Sequence, residues 1–249
     1  MAKKSPENMS LNKEFVKIFD ELAYKYGRHR VWSDFIYMSA CAISNSTDLR
    51  VSLCNKRETE YAGIVSRYDE SEIKGFSSML ASVMWALQEN PEQDFLGSTF
   101  SLLNLHNEWN GQFFTPYHIG SLMAKLNIGD PAEMKNDSGE PITVCDPCCG
   151  AGCLLIAYFN STKKAGIDVS RDVIMFAQDI DRIAALMCYI QLSLLGCSAV
   201  IKIGNSLTEP LTVESLSDYA EDDSIWLTPC FSTKCIEHII AGGETNERT

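Results

Sequence analysis

The sequence predicts an α/β fold preceded by a helical N-terminal region. Apolar residues recur at helical spacing through the first hundred or so residues, whereas from about Pro141 short β-prone runs alternate with helical stretches. Glycine and polar residues gather where the predicted strands end, which is the edge where open α/β sheets bind ligands. We therefore predict a helical region over residues 1–110 and an α/β domain over residues 111–249.

The helical region contains a series of predicted amphipathic helices. In the first, Asn12 to Tyr26, an apolar stripe recurs at i, i+3, i+4 and i+7, and Gly27 ends the helix. The others are predicted at Val31 to Ile43, around Arg57 to Arg67, at Glu72 to Gln88 and at Asp94 to Asn107. Asn90-Pro91 stops the helix before it, because proline disfavours helical backbone in the preceding residue.

The α/β domain contains a set of predicted strands, and the helices between them argue for a parallel sheet. The strands are Ile142 to Asp146, Val173 to Ala177, Ala199 to Ile203 and Ser224 to Leu227. One helix begins at Leu154, and a longer one runs from Ile183 to Leu195 and is capped by Gly196. Because the sequence stops soon after the fourth strand, we expect a sheet that is truncated there or completed by another chain.

Composition narrows the class of protein. With 45% apolar and 22% charged residues, the chain is neither collagen-like nor intrinsically disordered. No apolar run approaches the roughly 18 residues that span a bilayer, and Met1 to Ser10 lacks the apolar core of a signal peptide. We expect a cytoplasmic protein without a membrane partner, in which the ten cysteines stay reduced.

Charge is distributed unevenly. Residues 1–74 carry a balance of +1 and residues 75–249 a balance of −13. A nucleic-acid-binding protein normally presents a basic face, because phosphate contacts supply most of its affinity. The basic cluster of Lys25, Arg28, His29 and Arg30 is more simply explained as a solvated helix end. We expect this chain alone to bind DNA weakly.

The loop from Asp146 to Gly152 is the first candidate site. Two glycines in a strand-to-helix turn let a ligand approach the backbone, and the helix start offers free N–H groups. The Gly-Lys-Ser/Thr of a phosphate-binding P-loop is missing from it, and the acid at the strand end suits a cationic group better. Asp179, at the end of the next strand, is placed to accept hydrogen bonds from ribose hydroxyls. Together these residues suggest a nucleoside that carries a positive charge.

Several motifs resemble those of adenine-specific DNA methyltransferases. The loop Asp146-Pro-Cys-Cys-Gly-Ala-Gly152 resembles their S-adenosylmethionine loop, and Gly111-Gln-Phe-Phe-Thr-Pro116 is similar to a motif of the modification subunits of type I restriction systems. Gln178-Asp-Ile-Asp181, Gly204-Asn-Ser-Leu207 and Asp94-Phe-Leu-Gly97 also resemble motifs of that family. The resemblance implies a Rossmann-like, S-adenosylmethionine-dependent methyltransferase domain that acts on the adenine amino group of DNA.

The resemblance also implies roles for individual residues. Thr115 and Pro116 would hold the methionine carboxylate of the cofactor, and Asp146 its amino group. Gly150 and Gly152 would let the cofactor lie against the loop. The other residues that the resemblance assigns to the cofactor site are Asp179 for the ribose, Asn205 for the adenine amino group, and Phe114, Cys148 and Ile180 as neighbours. Phe114 either lines this pocket or anchors the loop.

The catalytic motif departs from the family pattern. The family has Asn/Asp-Pro-Pro-Phe/Tyr at the end of the fourth strand, whereas this chain has Thr228-Pro229-Cys230-Phe231. In the family, the first residue accepts a hydrogen bond from the target amino group and the aromatic ring stacks on the flipped base. Thr228, Pro229 and Phe231 are therefore the candidate catalytic residues, in a motif that has lost its amide or carboxylate. Phe231 is as readily explained by ordinary packing.

Three functions remain open on the sequence alone. The first is a DNA adenine methyltransferase subunit of a restriction-modification system, active with a specificity subunit that recognises DNA. The second is an inactive, cofactor-binding pseudo-methyltransferase with a regulatory role. The third is a metal-binding interaction protein, suggested by Cys145, Cys148, Cys149 and Cys153. No second ligand cluster pairs with these cysteines, so we predict that no metal binds.

Overall fold

The computed structural model describes residues 6–105, 113–128, 141–212, 216 and 219–231, and it has the mixed α/β architecture that the sequence predicts. The helices in chain order are α1 (Pro6–Tyr26), α2 (Arg28–Asn45), α3 (Val51–Val65), α4 (Glu70–Glu89), α5 (Phe95–Leu102), α6 (Tyr117–Ile128), α7 (Cys153–Lys164), α8 (Val169–Asp172) and α9 (Arg182–Leu195). The strands are β1 (Ile142–Asp146), β2 (Val173–Asp179), β3 (Ala199–Ile203) and β4 (Ile225–Leu227). Within this part of the chain, no helix is long and apolar enough to cross a membrane.

Local capping explains where the N-terminal helices begin and end. Helix α4 begins at Glu70, two residues before the predicted start, because Asp69 caps it: the backbone N–H groups of Ser71 and Glu72 donate to the Asp69 carboxylate. The Glu72 carboxylate accepts in turn from the Asp69 N–H, which completes a capping box. Gly27, with a φ of 87°, separates α1 from α2 as predicted.

The sheet has the strand order β1-β2-β3-β4. Strand β1 pairs with β2, and β2 with β3, in parallel, so Asp146 and Asp179 finish at the same edge. Helix α9 connects β2 to β3 and packs on both strands. This agrees with the prediction of parallel strands joined by helices.

Strand β4 does not follow that prediction, because it pairs antiparallel with β3. Arg50 and Arg57, at the start and in the body of α3, both donate side-chain hydrogen bonds to the Ile225 carbonyl, at 2.9 and 3.1 Å. The Arg57 guanidinium also lies 3.8 Å from the ring centre of Trp226, and Asp48 pairs with both arginines. These long-range contacts hold the short strand in the antiparallel direction.

The two faces of the sheet have different coverings. Val173, Met175 and Ala177 of β2 pack into the main core, which continues through α9 and α2 to Phe15 of α1. Ile174 of β2 faces a smaller cluster on the opposite side, together with Val200, Leu216, Ile225 and Phe231. The main core therefore runs without interruption across the predicted boundary at residue 110.

Candidate functional site

Hydrogen bonds tie the loop after β1 to the end of β2, and the end of β2 to the residue that follows β3. The Gly150 N–H donates to Asp179 Oδ2 at 2.8 Å, and the Cys149 N–H donates to the Gln178 carbonyl at 2.9 Å. The Gly204 N–H, just after β3, donates to the Asp179 carbonyl at 2.9 Å. Asp179 Oδ1 accepts from the Asp181 N–H at 2.9 Å. Asp179 therefore holds the loop in place in addition to any contact with a ligand.

Glycine is required at two positions of this loop. Gly150 and Gly152 have φ values of 53° and 89°, a conformation that other residues rarely adopt. A Cβ on Gly152 would lie 2.8 Å from Cys188 Sγ of α9, and one on Gly150 would lie 3.0 Å from the Phe114 ring. The loop consequently packs against both α9 and the segment before α6.

Asp146 has an incomplete set of partners. Its Oδ1 accepts from the Cys148 N–H at 3.2 Å, whereas its Oδ2 is buried and accepts no hydrogen bond from the described residues. Burial raises the pKa of this carboxyl, and the nearby charge of Asp179 raises it further. A cationic ligand group would offset the desolvation of this carboxylate, so the site favours a positive charge at this position.

The residues before α6 lie against the glycine loop. Phe114 packs on Gly150, and Thr115 and Pro116 follow it directly at the start of α6. The Asn160 side chain of α7 donates to the Tyr117 hydroxyl at 3.1 Å, which fixes the first turn of α6 against α7. Phe114, Thr115 and Pro116 are thus brought to the loop that contains Asp146, Cys148, Gly150 and Gly152.

Ile180 and Asn205 follow β2 and β3 at the same edge of the sheet. The Ile180 side chain is 70% exposed. Asn205 Oδ1 accepts from the Leu207 N–H at 2.9 Å, so this oxygen already stabilises a turn. An amide oxygen has two lone pairs and retains one for a further donor. The structure therefore brings every predicted cofactor-binding residue to one edge of the sheet.

The predicted catalytic residues lie elsewhere. Because β4 is antiparallel, Thr228 lies beside Ala199, at the opposite edge of the sheet from Asp146 and Asp179. The Thr228 hydroxyl donates to the Cys197 carbonyl at 2.7 Å and accepts from the Ala199 N–H at 2.9 Å. Pro229 is exposed, and Phe231 is buried in the smaller cluster. This arrangement does not support a catalytic role for Thr228, Pro229 and Phe231, which stays a prediction.

A buried polar network lies behind the glycine loop, and the sequence motifs do not predict it. Gln191 of α9 donates to the Ala151 carbonyl at 2.8 Å and to Asp94 Oδ1 at 2.9 Å, and it accepts from the Leu96 N–H at 3.1 Å. It thereby joins the loop to α5 and α9. The sequence feature that indicates this network is a single glutamine inside the apolar run from Ile183 to Leu195, because a buried polar side chain needs hydrogen-bond partners.

The cysteines do not assemble a metal centre in the described part of the chain. Across these residues, no group of three or more His, Cys, Asp or Glu side chains is placed to hold an ion. Cys145 and Cys148 are exposed, whereas Cys149 and Cys153 are buried. Burial raises the pKa of the Cys153 thiol to about 12, which disfavours the thiolate that a metal requires.

Fold and site together define an α/β protein with a glycine loop and acidic strand ends, suited to a cationic nucleoside. Residues 98–246, more than half of the chain, match the N-6 DNA Methylase family. The protein belongs to this family of adenine-specific DNA methyltransferases, which confirms the family predicted from the motifs. Comparison with curated proteins and with solved structures gives no match.

Methyltransferases of this family use S-adenosylmethionine, and the site fits that cofactor. The unpartnered oxygen of Asp146 suits the positively charged amino group of its methionine part. Gly150 and Gly152 allow the left-handed backbone that this loop requires. The family supports DNA adenine methylation in general as the activity.

Proposed function

We propose that this chain binds S-adenosylmethionine at the edge formed by the loop after β1 and the ends of β2 and β3. The observation that carries the proposal is the buried Asp146 Oδ2, which has no hydrogen-bond partner among the described residues. Few ligands of a DNA methylase present a cation beside a nucleoside, and this cofactor presents both an ammonium and a sulfonium group. The cofactor-binding roles that the motif resemblance implies fall on residues at this same edge of the sheet.

In this proposal, Asp146 binds the amino group of the cofactor and orients its methionine part. Thr115 and Pro116 bind the carboxylate, and Asp179 accepts from the ribose hydroxyls with the lone pairs that Gly150 and Asp181 leave free. Ile180 and Asn205 contact the adenine ring, and Cys148 lines the loop. The bound cofactor supplies an activated methyl group, and these residues position it and exclude water.

The acceptor in this proposal is the adenine amino group of DNA. The balance of −13 over residues 75–249 leaves little positive charge to hold a duplex. We therefore propose that DNA recognition comes from a partner, such as the specificity subunit of a restriction-modification system. We place this activity in the cytoplasm, where the cysteines stay reduced.

A second candidate is a cofactor-binding protein that does not transfer methyl groups. The placement of Thr228 favours it, because the Thr228 hydroxyl is committed to Cys197 and Ala199 far from the loop. In this second candidate function, the chain binds the cofactor and regulates or assembles with another protein. Cofactor binding is common to both candidates, and methyl transfer separates them.

Titration calorimetry with S-adenosylmethionine tests the shared step. Asp146→Asn keeps the acceptor for Cys148 and removes the negative charge, so we expect affinity to fall roughly 10- to 100-fold. Glu70→Gln, which removes an exposed carboxylate on α4, should leave affinity unchanged. No binding by the wild-type chain, or equal affinity in Asp146→Asn, would count against the proposal.

A tritium-methyl assay on mixed-sequence DNA then separates the two candidates. Incorporation by the chain, alone or with a purified specificity subunit, supports the methyltransferase. Cofactor binding without incorporation under either condition supports the second candidate.

A further inference from the structure

Gln191 of α9 holds the glycine loop from inside the protein. Its side chain is fully buried, and its amide nitrogen donates to the Ala151 carbonyl at 2.8 Å. Ala151 lies between Gly150 and Gly152, and glycine has the greatest backbone freedom of any residue. This hydrogen bond therefore restricts the part of the loop that has the least restriction of its own.

Asp94 fixes the orientation of the Gln191 amide. The same nitrogen donates to Asp94 Oδ1 at 2.9 Å, and the amide oxygen accepts from the Leu96 N–H at 3.1 Å. Both ends of the amide have partners, so one orientation is favoured, in which the nitrogen faces the loop. A Cβ on Gly97 would overlap Asp94 Oδ2, so glycine at this position leaves space for the carboxylate.

The charge of Asp94 also reaches the loop. Burial, followed by the charges of Asp94 and Asp146, raises the pKa of the Cys153 thiol at the start of α7 to about 12. Cys153 is thus a neutral neighbour of both carboxylates. A cation that binds beside Asp146 is therefore attracted by Asp94 as well, through a buried region where water screens little.

The surroundings of Asp94 let its charge change between acid and neutral pH. Burial raises the pKa of Asp94 to about 6, although hydrogen bonds from Gln191 and Gly97 oppose the rise. Helices α9 and α7 present neutral groups to it, the Gln191 amide and the Cys153 thiol. The charged side chains of the adjacent described segments are exposed, namely Glu89, Glu92 and Lys164.

We propose that Asp94 and Gln191 are positioning residues for the cofactor loop, and that ionisation of Asp94 strengthens the binding of S-adenosylmethionine. Gln191 acts through the Ala151 carbonyl, and Asp94 acts through Gln191 and through its charge. The positive groups of the cofactor gain from a second negative charge inside the protein, so affinity rises as pH rises through about 6. The inference rests on the proposed function and extends the cofactor site to α5 and α9.

Removing the amide tests the positioning role. Gln191→Leu leaves the Ala151 carbonyl without this donor, so we expect affinity for S-adenosylmethionine in titration calorimetry to fall at least tenfold. Gln88→Leu makes the same change at an exposed position of α4 and should bind as the wild type does. In the ligand-free protein, amide hydrogen exchange of residues 149–152 should be faster in Gln191→Leu and unchanged in Gln88→Leu.

Titrations at pH 5 and pH 7 test the effect of the charge. Asp94→Asn keeps the acceptor for Gln191 and does not ionise, whereas Asp20→Asn removes an exposed carboxylate of α1 and should follow the wild type. Between the two pH values, we expect affinity to rise roughly threefold to fivefold more in the wild type than in Asp94→Asn. Any titration of Asp146 is common to both proteins. Asp94→Asn removes a buried charge, which favours folding, so weaker binding at pH 7 does not reflect unfolding.

The outcomes separate this inference from the function on which it rests. Cofactor binding with the same pH dependence in the wild type and in Asp94→Asn overturns this inference alone, as does equal affinity in Gln191→Leu and Gln88→Leu. No binding by the wild-type chain at either pH overturns the proposed function and this inference with it. If Gln191→Leu does not fold, the pH comparison with Asp94→Asn decides.

Discussion

Gly152 stands where the loop after β1 comes nearest to α9. Its φ of 89° is left-handed, and a Cβ there would lie 2.8 Å from Cys188 Sγ. Gly166 has a similar φ of 82°, but a Cβ there would meet nothing within 4 Å. Comparing the two positions separates the cost of the backbone conformation from the cost of the clash.

We expect Gly166→Ala to lower the free energy of unfolding by roughly 1–2 kcal/mol, the cost of a left-handed residue with a side chain. Gly152→Ala should lower it by roughly 1–3 kcal/mol more, because α9 must move to admit the methyl group. Urea unfolding of both variants measures the difference. Equal losses would mean that Cys188 turns away without cost.

Thr228 permits a direct comparison of a structural role with a catalytic one. Thr228→Val removes the hydroxyl that joins Cys197 to Ala199, so we expect a loss of roughly 1–3 kcal/mol in stability. Thr228→Ser keeps the hydroxyl and should be close to wild type. Affinity for S-adenosylmethionine should not change in either variant. Unchanged stability of Thr228→Val together with lost methyl transfer would restore the catalytic interpretation.

At the scale of elements, Asp94 joins α5 to α9. It caps α5 through the Gly97 N–H at 2.8 Å and accepts from Gln191 at 2.9 Å. Burial raises the pKa of Asp94 to about 6, since these hydrogen bonds only partly offset the loss of water. Between about pH 4 and pH 6, the folded protein therefore holds a proton on Asp94 that the unfolded chain has already released.

This difference predicts how stability depends on pH. The folded pKa is raised, so the contribution of Asp94 is complete below the unfolded pKa of about 4 and is lost as pH rises through about 6. Asp94→Asn retains the cap without titrating, so it should match wild type near pH 4 and exceed it by on the order of 3 kcal/mol at pH 8. Denaturant unfolding at both values measures this gain. A gain that does not change with pH would contradict it.

Short-range signals explain which elements the sequence predicts correctly. Gly27, Gly196 and the residues from Asp146 to Gly152 act within their own turns, so the helix ends and the glycine loop follow from local chemistry. The direction of β4 does not follow from local chemistry, because it depends on Arg50 and Arg57, which are 175 and 168 residues from Ile225. The role of Gln191 is hidden for the same reason, since its partners lie in α5 and in the loop.

At the scale of the molecule, one apolar core serves both regions. Trp32 of α2, Tyr189 of α9 and Trp226 of β4 belong to the same cluster. Helix α2 packs on α9, and the Tyr189 and Trp226 rings meet with centres 5.3 Å apart. Neither region buries its apolar surface without the other.

We therefore expect the chain to unfold in a single transition. Far-UV circular dichroism reports on the helices and tryptophan fluorescence on the core, so their urea curves should coincide. Two separated transitions would instead favour independent units on either side of residue 110.

The strand order also has a consequence for how the chain folds during synthesis. Each of the first three strands pairs with its neighbour in the sequence, so that part of the sheet can form as soon as its residues leave the ribosome. Strand β4 adds to its preceding neighbour but needs α3, which was made long before it, to hold its direction. Part of the apolar surface of the N-terminal helices therefore stays uncovered until β4 has been synthesised, and a chaperone that covers it in that interval would raise the yield of native protein.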